Sequence, residues 1–224
     1  MAVIIGISTS LEKGQQRIDH AYVRCVAETG GLPVLLPTIS DPKVAAQLCT
    51  RIDGLVVPGG PGITHNMAGT LPEVLSPVDP LRWASDTLFL QTAYNQDLPV
   101  LGICYGMQLM GVMAGGALYA DAEQQHPNAL VHSESRGATM HTIRIDPNTH
   151  LHRLLQVTSM EVNTRHLQAL RTPGTGYRVS ACSPDGIIEA IENAEGTRIG
   201  VQFHPERMNL LPLFRHLIDC AAEA

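Results

Sequence analysis

A cysteine set between two glycines, Cys104 in the segment LGICYGMQ (101–108), is the side chain best placed for chemistry. An apolar run precedes it and a helical pattern follows it, so G-x-C-x-G is the thiol counterpart of the G-x-S-x-G nucleophile elbow. Gly102 and Gly106 let the strand and the helix approach each other, and the helix N-terminus favours the reactive thiolate. The pattern predicts a cysteine nucleophile at a strand-to-helix turn; a buried, inert thiol is the alternative.

A base for this thiol is predicted at His204, in the segment RIGVQFHPERM (198–208). The histidine follows an apolar strand, and Glu206 stands two residues further on, on the same side of an extended segment. A carboxylate that accepts a hydrogen bond from one ring nitrogen turns the other toward the nucleophile, as in a catalytic triad. We expect a Cys104, His204 and Glu206 triad; a solvated histidine and glutamate in a surface loop are the alternative.

Acyl transfer also needs hydrogen-bond donors for an oxyanion, and the turn PGGPG (58–62) is a candidate source. Its glycines leave backbone N–H groups uncovered by side chains. We predict the backbone N–H groups of Gly60 and Tyr105 as the oxyanion hole. The alternative for PGGPG is an ordinary tight turn.

The elements that must hold these residues alternate along the first half of the chain. Apolar, β-branched runs are interleaved with amphipathic stretches, which predicts βαβ units around a parallel sheet with strands buried on both faces. Asp41 before Pro42 predicts a helix start. From about Ala117 the pattern changes to alternating strands, which predicts an antiparallel edge or subsheet, and residues 210–224 predict a C-terminal helix. We therefore expect one α/β domain over residues 1–224, with Cys104 and His204 at carboxyl ends of strands.

Composition excludes several classes of protein and of site. Of the 224 residues 44% are hydrophobic and 16% charged, and no stretch approaches the roughly 18 uncharged apolar residues of a membrane helix. The net charge of −6 argues against a nucleic-acid partner and leaves a small polar substrate. The first residues indicate a strand and not a signal peptide, so we expect a cytoplasmic protein.

The remaining cysteines and the ten histidines give no sign of a cofactor. Five cysteines without a CxxC pair argue against disulfides and a zinc site, and no HExxH spacing is present. We expect no metal and no organic cofactor. Four of the five thiols are predicted to be small core residues: Cys25, Cys49, Cys182 and Cys220.

Taken in order, the segments PGGPG, GICYGMQ and GVQFHPE resemble the class I glutamine amidotransferase superfamily. Three further segments, AYVRCVAETGGLPVLLP, VNTRHLQAL and SPDGIIEAIE, are most similar to the γ-glutamyl-γ-aminobutyrate hydrolase group, the peptidase C26-like branch. The resemblance implies a flavodoxin-like three-layer sandwich, a glutamine amidotransferase type 1 domain, and a γ-glutamyl substrate. It also implies that Cys104 is the nucleophile, His204 the general base and acid, and Glu206 its orienting partner.

The resemblance further implies a site for the amino-acid end of the substrate. Gln108 would contact it, and Thr164 and Arg165 would lie near it through backbone groups; a helical polar residue and a solvated loop are the alternatives. Two positions depart from the group's pattern: Pro61 replaces a frequent aspartate and Tyr105 a frequent arginine. We expect both to touch the substrate mouth, and the side chain of Tyr105 to influence substrate choice.

Three functions fit these residues. The first is a free-standing hydrolase that releases glutamate from a small γ-glutamyl amide. The second is a glutaminase subunit that supplies ammonia to a separate synthase partner. The third is a catalytically silent binding or regulatory protein on the same scaffold. Independently of the function, apolar edge strands would allow a homodimer.

Overall fold

In the computed structural model, which describes residues 2–223, one nine-stranded sheet forms the centre of the molecule. Five neighbouring strands run parallel in the order β4-β1-β5-β7-β14. Their bounds are Ile4–Ser8 (β1), Leu32–Leu36 (β4), Gly54–Val57 (β5), Val100–Ile103 (β7) and Arg198–Val201 (β14). This parallel half confirms the predicted βαβ organisation.

The second half of the sheet is antiparallel and continues from β14 in the order β13-β12-β9-β10. Its strands are Met140–Ile145 (β9), Ser159–Asn163 (β10), Arg178–Cys182 (β12) and Ile188–Glu192 (β13). Two small sheets lie apart from it, a hairpin and a three-stranded sheet: Ser10–Glu12 (β2), Gln15–Arg17 (β3), Met67–Ala68 (β6), Ala117–Tyr119 (β8) and Ala169–Thr172 (β11). The predicted antiparallel region is thus mostly an extension of the main sheet.

Helices cover both faces of the sheet and make a three-layer sandwich. The longer ones are His20–Glu28 (α1), Pro42–Cys49 (α2), Pro80–Asn95 (α3), Tyr105–Met113 (α4) and Leu211–Glu223 (α8). The shorter ones are Ala122–Gln125 (α5), His150–Leu155 (α6) and Pro205–Met208 (α7), with a 3-10 turn at Glu134–Arg136. Residues of α1, α6 and α8 share one apolar core with the sheet, and residues of α2, α3 and α4 share the other.

Local signals explain several of these boundaries. The Asp41 carboxylate accepts a hydrogen bond from the Lys43 N–H (2.8 Å), so α2 begins at the predicted cap. Helix α3 was not expected from the sequence, although Asp79 caps it in the same way and Pro80 occupies its first turn. Among residues 2–223, no helix is both long enough and apolar enough to cross a membrane.

One strand departs from the prediction of burial on both faces. Strand β4 is an edge strand, and its Leu32 and Leu35 side chains are each 50% exposed. An edge strand has a neighbour on one side only, so an apolar sequence does not ensure that both of its faces are covered. The prediction was wrong for β4 and is confirmed for β5 and β7, whose residues are all buried.

Candidate active site

Cys104 occupies a sharp turn between β7 and α4. Its backbone has φ 52° and ψ −105°, a strained conformation for a residue that carries a side chain. The Cys104 N–H donates to the Val201 carbonyl (2.8 Å), which ties the turn to β14. A Cβ on Gly106 would lie 2.0 Å from the Val57 carbonyl oxygen, and one on Gly102 would lie 2.3 Å from a methionine sulfur. The predicted elbow is therefore present, and both glycines are required by close backbone approach.

His204 follows β14, the strand that pairs in parallel with β7, so it reaches the same edge of the sheet as Cys104. Its Nδ1 lies 2.7 Å from Oε1 of Glu206, which is fully buried. The Asn163 side-chain amide holds the His204 backbone from both sides, accepting from its N–H and donating to its carbonyl (2.8 Å each). Since Nδ1 faces the carboxylate, Nε2 is the nitrogen left for a reaction.

The predicted backbone conformation between His204 and Glu206 was wrong. Glu206 does not share an extended segment with His204, because Pro205 begins the one-turn helix α7 and Glu206 lies inside it. Proline is favoured at the first helical position, where its missing N–H is not needed. The carboxylate still reaches the imidazole because His204 is the residue that caps this turn.

The surroundings of His204 favour its charged form. Burial opposes protonation, but hydrogen bonding and charge interaction with Cys104 and Glu206 outweigh it and raise the pKa of His204 to about 10. The Cys104 sulfur has another close polar neighbour, since Gln202 Nε2 donates toward it at 3.4 Å.

Tyr22 and Arg82, which the sequence analysis missed, fix the peptide that precedes Gly60. The Gly59 N–H donates to Tyr22 Oη and the Gly59 carbonyl accepts from Arg82 Nη2, each at 3.0 Å. Because the C=O and N–H of a trans peptide point in opposite directions, the Gly60 N–H is turned away from Arg82. Neither it nor the Tyr105 N–H at the start of α4 donates to another residue within 2–223, so both predicted donors are available.

The expectation that the side chain of Tyr105 touches the substrate mouth was wrong. This side chain is fully buried on the far side of the turn, with the Arg82 guanidinium 4.5 Å from its ring centroid. Arg82 is itself 1% exposed and pairs with Asp86 (3.2 Å) one turn along α3. An aromatic ring and a buried cation stabilise each other, so Tyr105 supports the site from behind. Pro61, in contrast, does line the cleft.

A cleft of about 240 Å³ opens next to Cys104. Its walls include the PGGPG turn, Gln108, the 3-10 turn and residues 165–168. Gln108 Nε2 donates to the Gln168 carbonyl (2.9 Å) and to Gln202 Oε1 (3.1 Å), while its Oε1 accepts no hydrogen bond from any residue within 2–223. Arg165 forms an ion pair with Glu134, and both residues line the cleft. Gln108 and Arg165 thus both line the cleft beside Cys104.

Thr164 directs neither its side chain nor its N–H into the cleft. Its side chain is fully buried, its hydroxyl donates to the His132 carbonyl (2.6 Å), and its N–H donates to the Thr139 carbonyl (3.1 Å). Both donors of Thr164 are therefore engaged behind the cleft wall. Among the other cysteines, Cys25 and Cys49 are buried as predicted, whereas Cys182 and Cys220 are half-buried.

Known proteins similar to this chain share both its family pattern and its fold. The model of the Peptidase C26 family matches residues 3–206. Protein NtpR of Enterococcus hirae is 36% identical over 199 residues, which cover 84% of this chain and 80% of NtpR. The γ-glutamyl-γ-aminobutyrate hydrolase PuuD of Escherichia coli K12 is 29% identical over 205 residues, covering 85% of this chain and 79% of PuuD. The glutaminase domain of Trypanosoma brucei CTPS with bound acivicin shares the fold, with a TM-score of 0.71 at 16% identity over 99% of this chain and 94% of that one.

Proposed function

Because the chain belongs to the Peptidase C26 family and is a cysteine amidohydrolase acting on carbon–nitrogen bonds, we propose that it cleaves the γ-glutamyl amide bond of a small γ-glutamyl compound. Cys104, His204 and Glu206 act as the catalytic triad, and the product is free glutamate. The observation that carries the proposal is the position of the strained Cys104 elbow. It follows β7, and the neighbouring parallel strand β14 leads to the His204–Glu206 pair.

In the first half of the reaction the Cys104 thiolate attacks the γ-carbonyl carbon. The carbonyl oxygen becomes an oxyanion, which the N–H groups of Gly60 and Tyr105 stabilise. The imidazolium of His204 then gives the proton on Nε2 to the departing nitrogen, and the C–N bond breaks. A γ-glutamyl thioester on Cys104 and a free amine result. The raised pKa of His204 supports this step, since the ring is protonated before the substrate arrives.

In the second half, water hydrolyses the thioester. Neutral His204 removes a proton from the water through Nε2, and the hydroxide equivalent attacks the same carbonyl carbon. The tetrahedral intermediate uses the same two N–H donors, and its collapse releases glutamate and restores the thiolate. Glu206, buried and bonded to Nδ1, holds one ring orientation through both halves.

The lining of the cleft supports a substrate that ends in an amino acid. An α-amino acid carries an ammonium and a carboxylate on one carbon, and the cleft offers partners for both. Arg165 suits the carboxylate, because a guanidinium can form two parallel hydrogen bonds with it. Glu134 and the unengaged Oε1 of Gln108 suit the ammonium. The amine beyond the scissile bond would leave past Pro61.

A hydrolysis panel on the purified protein tests this proposal. The substrates are glutamine, γ-glutamyl-GABA, other γ-glutamyl amines and γ-glutamyl peptides, with the α-linked isomer of each as its matched control. We expect glutamate release from γ-linked compounds, none from α-linked ones, and a γ-glutamyl adduct on Cys104 detectable by mass spectrometry after rapid quenching. Turnover of glutamine alone, rising on addition of a synthase, would support the ammonia-supplying alternative. Failure to cleave any γ-linked compound would refute the proposal.

A further inference from the structure

Three histidines and a glutamate meet inside the antiparallel half of the molecule. His132, His141, His166 and Glu189 are each at most 9% exposed, and one donor atom from each lies within 4.8 Å of the others. They come from four separate segments: the loop before the 3-10 turn, β9, the segment after β10, and β13. None of them takes part in the reaction proposed above.

Hydrogen bonds on the outer side of each ring decide which nitrogen faces inward. His141 Nδ1 and His166 Nδ1 lie 3.1 Å from the carbonyl oxygens of Thr142 and Gln168, respectively. A carbonyl only accepts, so both Nδ1 atoms carry hydrogen. His132 Nε2 lies 2.9 Å from the carboxylate of Asp185 and carries hydrogen for the same reason. In the neutral rings, the three inward nitrogens therefore present lone pairs.

The interior of the cluster is thus a set of acceptors. The inward nitrogens of His132, His141 and His166 and both oxygens of Glu189 have no hydrogen-bond partner within residues 2–223. Buried polar atoms without partners destabilise a fold, because the hydrogen bonds they made to water are not replaced. Lone pairs that converge on a buried carboxylate also repel it, so the arrangement calls for a cation at its centre.

The distances discriminate between a proton and a metal ion as that cation. Oε1 of Glu189 lies 3.4 Å from the inward nitrogen of His141, 3.5 Å from that of His166 and 3.7 Å from that of His132. A charge-assisted N–H···O bond would be about 2.7–2.9 Å long. Four ligands at about 2.0–2.2 Å from a tetrahedral Zn²⁺ stand about 3.4 Å apart. The three Glu189 distances match edges of a metal tetrahedron better than they match a shared proton, and the donor atoms, all within 4.8 Å of one another, would draw closer around a bound ion.

We propose that His132, His141, His166 and Glu189 bind one divalent transition-metal ion, with Zn²⁺ the best fit. Three imidazoles and one carboxylate suit Zn²⁺ and its neighbours in the first transition row, and disfavour Ca²⁺ and Mg²⁺, which prefer oxygen ligands. The outer hydrogen bonds from each ring to a carbonyl or carboxylate are those that orient metal-binding histidines. A proton on His141 is the competing cation: burial opposes it, but Glu189 outweighs burial and raises the pKa of that ring.

The ion would stabilise the wall of the cleft and take no part in bond cleavage. His166 lines the cleft, and the Gln168 carbonyl accepts from both His166 Nδ1 and Gln108 Nε2. Gln108 in turn contacts Gln202, whose amide reaches the Cys104 sulfur. His132 holds Thr164 through its carbonyl. One bound ion would therefore fix three segments on the substrate side of the cleft, and the proposal stands whatever amide the protein cleaves.

Metal binding to the full chain, expressed without a polyhistidine tag, tests the site. After dialysis against chelator, titration with Zn²⁺ should give one tight equivalent by elemental analysis and a rise in Tm. Titration with Co²⁺ should give the intense visible bands of tetrahedral cobalt without a thiolate charge-transfer band. Folded wild-type protein that binds less than one equivalent at micromolar metal would overturn the proposal, and this result requires no variant.

Variants locate the ion. Glu189→Gln keeps the shape of the side chain but removes its charge, and we expect binding at least 100-fold weaker. Asp185→Asn, which alters only the outer partner of His132, should weaken binding about 10–100-fold. Cys104→Ala and His20→Gln, the latter at an exposed position, should bind as the wild type does. Unchanged binding in Glu189→Gln, or its loss in Cys104→Ala, would place the metal elsewhere and refute the site.

Discussion

The two halves of the nine-stranded sheet bury different chemistry. In the parallel half the interior is mostly apolar, although Arg82 and Asp86 form a buried pair there, and glycines stand where backbones approach closely, as at Gly102 and Gly106. The reactive groups are confined to the carboxyl edge, where β7 and β14 end at Cys104 and near His204. In the antiparallel half, imidazoles and carboxylates lie inside the fold itself. The parallel half is a scaffold whose reactive groups lie at the edge of the sheet, whereas the antiparallel half has polar groups in its core.

The largest effect on turnover is expected at the nucleophile of the parallel half. Cys104→Ala should lower turnover by about 10⁴-fold or more, because the thioester can no longer form. Its Tm should change by only a few degrees, since the alanine keeps the backbone and removes one sulfur. Cys182→Ala, a half-buried thiol in the antiparallel half, is the matched control and should keep full turnover. Steady-state hydrolysis and thermal unfolding check both; an active Cys104→Ala variant would exclude the triad.

Breaking the buried ion pair between Arg82 and Asp86 in the parallel half should have the next largest effect. Arg82→Met should lower the free energy of unfolding by about 3–5 kcal/mol, because the Asp86 carboxyl group is left buried without its partner. The double variant Arg82→Met, Asp86→Leu should recover most of that stability. Its activity should stay low, because the Gly59 carbonyl has still lost the donor that orients the Gly60 N–H. Chemical denaturation and kcat separate the two roles; recovery of kcat together with stability would assign Arg82 to structure alone.

A third prediction concerns the pH dependence of the triad. Interactions with Cys104 and with Glu206 raise the pKa of His204 to about 10, so Glu206→Gln should lower that pKa. Because the imidazolium must protonate the leaving amine, activity falls as pH rises through this pKa, and the alkaline limb of kcat should move to lower pH in the variant. At neutral pH we expect a loss of about 10²-fold. An alkaline limb that does not move would show that His204 is not the group that titrates.

The difference between the halves also explains what the sequence could predict. The elbow, the His204 pair and the PGGPG turn are short contiguous motifs, because close packing at a parallel strand end demands small residues at fixed offsets. The four residues of the histidine cluster are 9, 25 and 23 positions apart along the chain, so no local pattern marks them. The contacts of Tyr22 and Arg82 with Gly59 could not be predicted for the same reason, since each side chain reaches Gly59 from a different helix. At helix α7 the contact between His204 and Glu206 was predicted correctly, but the helical backbone that makes it was not.

The smallest effect is expected at the position where the sequence predicted influence over substrate choice. Tyr105→Phe removes a buried hydroxyl that has no hydrogen-bond partner within residues 2–223. The loss should change stability by about 1 kcal/mol or less, and the ratio of kcat/KM between two γ-glutamyl amides should stay the same. Pro61→Asp, which alters the cleft wall itself, should change that ratio. If Tyr105→Phe changes the ratio and Pro61→Asp does not, substrate choice is transmitted through the Arg82 and Tyr105 packing behind the oxyanion peptide, and the parallel half is then more than a scaffold.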